Sequence, residues 1–438
     1  MSIDETDVAS SLTNRKVFLG VLMMIYVCSY LDRQIIAILL PQIKAEFDVP
    51  DLYLGMLSGL AFAVFYTTLG LPLARIAEKK SRVNLLTICI AVWSIMTMVC
   101  GAAVTFVQLM LARIGVGVGE AGCNPSAHSL ISDYFPFERR ASALAVYALG
   151  VPLGMLLGLS LGGWLGDKYG WRITMLAVGL PGLVLAILAK ILIKEPPRGH
   201  SEAKTMNVAA QAAESPSAKE TFTFLWRTRT FRALCVSAAA DAFVGYGLLI
   251  WLPTYLIRNF ELSGSEVGLH LGLLVGISGV IGALGAGYLA DKFGARDKRF
   301  YCWIPAIAAC IALVANLGVY TSSSINSIYL LLIIPMITLP ASGAPVYAAV
   351  QSIAPLRMRA TASAVLLLVV NLVGLGFGPT FIGAMSDFLA PIYGADSLRL
   401  AMRSIVIVYI ISAIAAFIAS RHFVADLERV GKSSTHGS

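Results

Sequence analysis

Four charged side chains sit where an apolar chain should carry none. Asp32 and Arg33 interrupt the run 17–41, and Arg113 and Glu120 interrupt the run 106–131. Within LARIGVGVGEAGCNPS (111–126), residues Gly117 to Gly122 also fit G-x-G-x-x-G, the pattern of a dinucleotide-binding turn. Such a turn needs a strand before it and a soluble βαβ unit around it. The long apolar run supplies neither, so the segment reads as a helix. At 100° per residue, Arg113, Gly117, Glu120, Asn124 and His128 fall within about 80° of one another. Gly115, Gly119, Gly122 and Ser126 fall on the opposite side. One face is a polar stripe, with Gly117 expected to leave it open between Arg113 and Glu120. The other is a strip of small residues that lets a neighbouring backbone approach closely.

The chemistry open to these groups is proton and anion handling. Charges inside a bilayer cost several kcal/mol and mark ion or substrate pathways. Asp32 and Arg33 lie about 13 Å from the outer end of their run, and Arg113 lies ~10 Å from the outer end of its own, so an Asp32–Arg113 ion pair is geometrically allowed. Glu120 lies two turns deeper, ~10 Å below Arg113. Burial there favours the neutral acid unless Arg113 compensates, which makes Glu120 a candidate proton carrier. The competing reading is a fixed network that only bundles helices. Asp241 is a further buried carboxylate with no partner legible in the sequence. The second half has Leu332 at the position equivalent to Arg113 and offers mostly neutral groups. Tyr66, Asn124, Asp241, Tyr246, Trp251, Tyr347 and Asn371 are candidates to line a cavity. An anionic head near Arg113, with an apolar body against the second half, would suit an amphipathic substrate.

The elements that must position these residues follow from composition. The chain has 438 residues, 58% hydrophobic and 13% charged, with mean hydropathy +0.78. Soluble domains carry about 25% charged residues, so a polytopic membrane protein is expected. Runs of about 20 residues or more, long enough to span a bilayer, fall at 17–41, 53–77, 84–105, 106–131, 140–164 and 171–193 in the first half. They fall at 233–257, 264–289, 300–320, 327–352, 359–386 and 399–420 in the second. The polar residues 1–16 lead into a run too long for a signal peptide, so it should stay as the first span. The expected fold is all-α, with twelve transmembrane helices in two six-helix pseudo-symmetric halves and both termini cytoplasmic. The expected domains are 1–194, a cytoplasmic linker 195–226 whose FTFLWRTRTF end suits an interfacial helix, and 227–438. With that topology Lys44, Lys168, Arg172, Arg258, Arg399 and Arg403 lie outside, Arg33 and Arg113 within the membrane, and the other 25 of 33 Lys and Arg on the cytoplasmic side. This positive-inside bias directs the net charge of +8 to anionic lipid rather than nucleic acid. The seven cysteines form no C-x-x-C pair and read as free, packed thiols.

The halves echo each other. PFERRASA (136–143) and PLRMRATA (355–362) recur at an offset of 219, and GWLGD (163–167) and GAMSD (383–387) at 220. GYLADKFGAR (287–296) repeats the G-x-x-x-D pattern after the eighth run, and ARIAEKKSR (74–82) is its weakened partner. Such nesting implies three-helix units inside six-helix halves. Glu78, Arg82, Asp133, Arg140 and Asp291 fall at cytoplasmic ends, where charge pairs could gate access; a solvated basic knot is the competing reading. Gly150, Gly154, Gly158 and Gly162 form a ladder for tight helix packing.

GYLADKFGAR and RIGVGVG resemble the loop and fourth-span motifs of the major facilitator superfamily, over nearly the whole chain. YLDRQIIAILLPQIKAEF (30–47), LSGLAFAVFYTTLGLPLARIAEKKSR (57–82) and RIGVGVGEAGCNPSAHSLISDYFPFERR (113–140) resemble its Spinster-like branch, associated with lysophospholipid and sphingosine-1-phosphate export. The resemblance implies a secondary transporter working by alternating access. On the residues, Asp32, Arg33, Arg113 and Glu120 are assigned to proton coupling and the substrate anion. The expected partners are membrane lipids, a lysolipid or small-molecule substrate and protons, with a monomer in the plasma membrane, a bacterial inner membrane. No Walker A loop, metal-ligand cluster or nucleophile–base set appears, so no cofactor, metal or enzyme activity is expected. The alternatives are transport of small organic anions such as sugar acids, suggested by Tyr30-x-Asp32-Arg33, and a non-transporting receptor.

Overall fold

The computed structural model describes residues 14–198, 218–355 and 358–435. Most of the linker and part of the PLRMRATA loop therefore lie outside the described residues. The described chain is helical, without strands. Among the described residues, ten helical stretches are long and apolar enough to cross a membrane, and two of them, Glu138–Leu192 and Thr361–Val430, run for 55 and 70 residues.

Polar punctuation sets the helix limits. Asn14, Ser81 and Thr105 each accept a hydrogen bond from a first-turn amide, starting α1 (Arg15–Phe47), α3 (Arg82–Ala102) and α4 (Phe106–Glu120). These caps satisfy donors that a helix leaves unpaired. Left-handed Asp48 (φ 48°) ends α1, and Pro50 then precedes α2 (Asp51–Lys79). The span expected over 106–131 is one stretch, Phe106–Tyr134, in which a two-residue turn at Ala121-Gly122 with right-handed angles separates α4 from α5 (Cys123–Tyr134). After α6 (Phe137–Ala148), Gly170 at φ 78° breaks α7 (Gly150–Leu192) where the sequence places a loop. Then come α8 (Ala218–Arg227), α9 (Arg229–Phe260), α10 (Gly264–Gly294), α11 (Phe300–Thr321), α12 (Ile325–Ser352), α13 (Arg359–Val369), α14 (Gly378–Tyr393), α15 (Ser397–Ile405) and α16 (Val408–Thr435). Two π-helical turns interrupt the α geometry, at Met56–Leu60 inside α2 and at Val370–Phe377 between α13 and α14.

Contacts divide the chain into two compact units. The first holds residues up to 48, 61–212 and 262–272; the second holds 49–60, 213–261 and 273–438. In the first, α1 packs along α7. The glycine ladder makes this close: a Cβ at Gly154 would stand 2.6 Å from the Val27 carbonyl oxygen, and one at Gly158 2.8 Å from that of Leu31. The small face of α4 packs on α3, where a Cβ at Gly119 would meet the Trp93 nitrogen at 2.5 Å. In the second, Phe231, Leu234, Cys302, Val350, Leu366 and Phe423 form a core beneath Leu225 of α8. Large apolar side chains are meanwhile exposed, among them Ile88, Leu111, Ile187, Leu284 and Val314. Such a surface is stable against hydrocarbon and unstable against water.

Candidate functional site

The first unit brings all four membrane charges together. Arg113 Nη1 lies 3.0 Å from Asp32 Oδ2, joining α4 to α1, and Thr97 of α3 donates to Asp32 Oδ1 at 2.7 Å. The ion pair allowed by depth is therefore formed. Glu120, however, is held by Arg33 rather than Arg113: Nη2 and Nε lie 2.6 and 2.7 Å from Glu120 Oε2. Ser29 Oγ donates to the same oxygen at 2.8 Å. Asp32 and Arg33 are adjacent on α1, so each turns to a different partner one helix away.

The two pairs differ in access. Arg113 and Asp32 side chains are 3% and 2% exposed, whereas Arg33 is 12% exposed. Three rings surround the Arg33 guanidinium, with centroids at 5.0 Å for Tyr30, 4.8 Å for Phe62 and 4.6 Å for Tyr66. That is cation–π geometry, which holds a partly desolvated cation in place. Phe62 also faces Arg113, at 5.1 Å. Two buried polar atoms of this network have no hydrogen-bond partner among the described residues: Glu120 Oε1 and Arg113 Nε. A carboxylate oxygen left this way is costly and is an available place for a proton.

Tyr66 and Asn124 do meet: Asn124 Nδ2 donates to the Tyr66 hydroxyl at 3.2 Å, and Tyr147 donates to Asn124 Oδ1 at 2.7 Å. Tyr147 stacks on Tyr26, with centroids 4.3 Å apart. A polar, aromatic wall thus continues from Arg33 along α2, α5 and α6. Gly117 does not leave its face open, because a Cβ there would lie 2.7 Å from the Phe62 carbonyl oxygen. Sequence reasoning missed Ser29, Thr97, Phe62 and Tyr147. Hydroxyls and rings are common in such helices, and nothing in their spacing separates these from packing residues.

The other candidates divide. Asp241 in the second unit is buried with no ion pair among the described residues. Tyr246, Tyr347 and Asn371 are half-buried. Trp251 is fully buried and donates through Nε1 to the Pro379 carbonyl oxygen at 2.8 Å, so it packs rather than lines a cavity. Among the gate residues, Arg82 pairs with Asp133 through Nη1 and with Glu195 through Nε at 2.7 Å. Arg140 donates to the Ser132 carbonyl oxygen at 3.0 Å. Glu78 and Asp291 are exposed and form no ion pair among the described residues. Glu195, just beyond α7, takes the place expected of Glu78. It accepts from the Val83 amide and Ser81 hydroxyl, each at 2.8 Å. Burial pushes the Glu195 carboxyl up, but the Val83 amide, Arg82 and Ser81 outweigh it and leave the group below its ordinary value.

The comparisons agree with this architecture. Residues 22–379 match the Major Facilitator Superfamily. A crystal structure of a bacterial homolog of the human lysosomal transporter Spinster, inward-facing and unoccupied, superposes with a TM-score of 0.84 at 32% identity, covering 94% of this chain and 98% of that one. An MFS-type efflux pump of Mycolicibacterium smegmatis is 31% identical over 409 residues, 93% of each chain. The hexuronate transporter of Bacillus subtilis is 25% identical over 276 residues, 62% of this chain and 64% of that protein. The chain therefore belongs to the Major Facilitator Superfamily, as a transporter rather than an enzyme, and resembles its Spinster-like members.

Proposed function

We propose that this chain is a proton-coupled secondary transporter that moves an anionic amphipathic substrate, of the lysophospholipid or sphingosine-1-phosphate kind, by alternating access. The observation that carries the reading is the pairing of Arg33 with Glu120, whose Oε1 is buried and unpartnered. Protonation at Glu120 removes the charge that holds Arg33. The guanidinium, still framed by Tyr30, Phe62 and Tyr66, is then available to an anionic head group. Arg113, sealed against Asp32, serves as the fixed partner. Loss of the proton returns Arg33 to Glu120 and releases the anion. Each state thus has one partner for Arg33, which is the differential interaction that coupling requires.

The similarity to an efflux pump and to a Spinster homolog supports an amphipathic substrate. Small organic anions are the second reading, supported by the hexuronate transporter's similarity. We read the chain as twelve spans, since the 55- and 70-residue stretches are each long enough for two crossings. Both termini are then cytoplasmic, the six-helix halves are joined by the linker 195–226, and the protein is a monomer of the plasma membrane.

The test is flux into proteoliposomes, offering lysolipids and sugar acids in parallel with and without an imposed proton gradient. Gradient-stimulated lysolipid flux supports the proposal. Sugar-acid flux alone replaces the substrate, and flux indifferent to the gradient removes the coupling.

A further inference from the structure

The G-x-x-x-D repeat at 163–167 and 383–387 is not used by the charge network. Its aspartates make the same contact twice. In the first unit, the Gly264 and Ser265 amides, at the start of α10, donate to Asp167 Oδ1 and Oδ2 at 3.2 and 2.7 Å. In the second unit, the Asp51 and Leu52 amides, at the start of α2, donate to Asp387 Oδ1 and Oδ2 at 2.9 and 2.7 Å. Each carboxylate straddles the first two amides of a helix that belongs to the other half of the sequence. Those amides have no partner inside their own helix, and the helix dipole favours an anion there.

The glycine of each repeat makes the contact sterically feasible. A Cβ at Gly163 would lie 2.1 Å from the Gly264 carbonyl oxygen, and one at Gly383 2.3 Å from that of Asp51. The capped helices reciprocate four residues on. A Cβ at Gly268 would lie 2.3 Å from the Leu159 oxygen, and one at Gly55 2.4 Å from the Pro379 oxygen. Even the flanking hydroxyls correspond: Ser160 donates to the Gly268 oxygen at 3.3 Å and Thr380 to the Gly55 oxygen at 3.4 Å. The second copy is reinforced. The Asp51 carboxylate is buried, receives both Nη atoms of Arg258 at 2.9 and 3.0 Å, and accepts from Ser386 Oγ at 2.8 Å.

We infer that Asp167 and Asp387 are a pseudo-symmetric pair of latches, each capping a helix start from the other half of the sequence, that stabilise the conformer seen here and must release for the bundle to open at that end. The charge bias assigns this end to the outside. The inference rests on alternating access but on neither the substrate nor the coupling ion, so a failure of the proposed transport chemistry leaves it standing.

The test reads opening directly in nanodiscs, without substrate. Cysteine at Ser160 or Thr380, and separately at Gln351 toward the opposite end, is labelled with a maleimide and quantified by peptide mass spectrometry at that position alone. Asp167→Ala and Asp387→Ala should each speed labelling at the latch end about fivefold, the effect of a lost N-cap. Together they should give about 25-fold, because separate sites add in free energy. Labelling at Gln351→Cys should fall at the same time. Asp167→Asn, which keeps one acceptor oxygen, should lie between parent and alanine, and Asp396→Asn should match the parent. Unchanged labelling in the double variant overturns the inference, as does acceleration at both ends, which would signal unfolding rather than release.

Discussion

Arg33 and Glu120 are 2.6 Å apart, while Arg113, on the same helix as Glu120, turns away to Asp32. Adjacent residues of α1 thus divide two acid–base pairs between them, one sealed and one partly accessible. Glu120→Gln tests the accessible pair. The amide fills the same space and cannot take up or lose a proton, so gradient-stimulated flux should fall at least about tenfold, the scale of removing a positioned acid–base group. Proteoliposome flux at a series of pH values measures this. Wild-type pH dependence in the variant would exclude Glu120 as the carrier.

The sealed pair predicts a stability effect instead. Asp32→Asn leaves the Arg113 charge buried with only neutral partners, and removing one member of such a pair costs about 3–5 kcal/mol. The apparent unfolding temperature of the purified protein should drop clearly. Asp32→Asn combined with Arg113→Gln should recover most of it, because no uncompensated charge remains. A single variant as stable as the parent would mean that solvent reaches Arg113.

The small face of α4 predicts a graded glycine series. At Gly119 an added methyl would stand 2.5 Å from the Trp93 nitrogen, in backbone that cannot move aside cheaply. Gly119→Ala should cost about 1–3 kcal/mol, as overpacking does, and lower the yield of folded protein on size exclusion. At Gly20 an added methyl would have no neighbour within 4 Å, so Gly20→Ala should be neutral or slightly stabilising. Equal outcomes for the two would show that α3 and α4 are not in close contact.

The periodicity of α4 made that glycine face and the opposing charged stripe legible, because a helix fixes direction at 100° per residue. Depth along α1 and α4 likewise made the Asp32–Arg113 pair legible. What the sequence could not settle was partner choice. Arg33 and Arg113 both lie within reach of Glu120 by depth, and in the fold Asp32 takes Arg113 while Arg33 takes Glu120. Gly117 departs from its expectation for the same reason: a wheel shows which way a position faces, not which backbone arrives there, and Phe62 arrives. The repeat of G-x-x-x-D was visible at an offset of 220. Its partners, Asp51 and Gly264, start helices in the other half of the chain, a contact that local patterning does not encode. Glu195 was hidden by lying at the edge of the linker, where charged residues are ordinary.

Glu195 supports the last prediction, a pH dependence at the Arg82 clasp. Its folded-state value lies below the ordinary glutamate value because its bonds to the Val83 amide, Arg82 and Ser81 outweigh the cost of burial. The sign follows from that depression. The clasp contributes fully above the ordinary value of about 4.3 and is lost as pH falls through the lower folded value. The Val83 amide reports on it directly: it lies in the first turn of α3, has no intrahelical partner, and donates to Glu195 Oε2 at 2.8 Å. Its hydrogen-exchange protection, corrected for the intrinsic rate, should hold at about pH 5, above the ordinary glutamate value, and be lost only as pH falls past that value toward the lower folded one. Glu195→Gln should show reduced protection at neutral pH and lose the acid step, because the amide keeps one acceptor oxygen but carries no charge for Arg82. Protection that stays flat through the acid range in the parent would place the Val83 amide with another acceptor and dissolve the clasp.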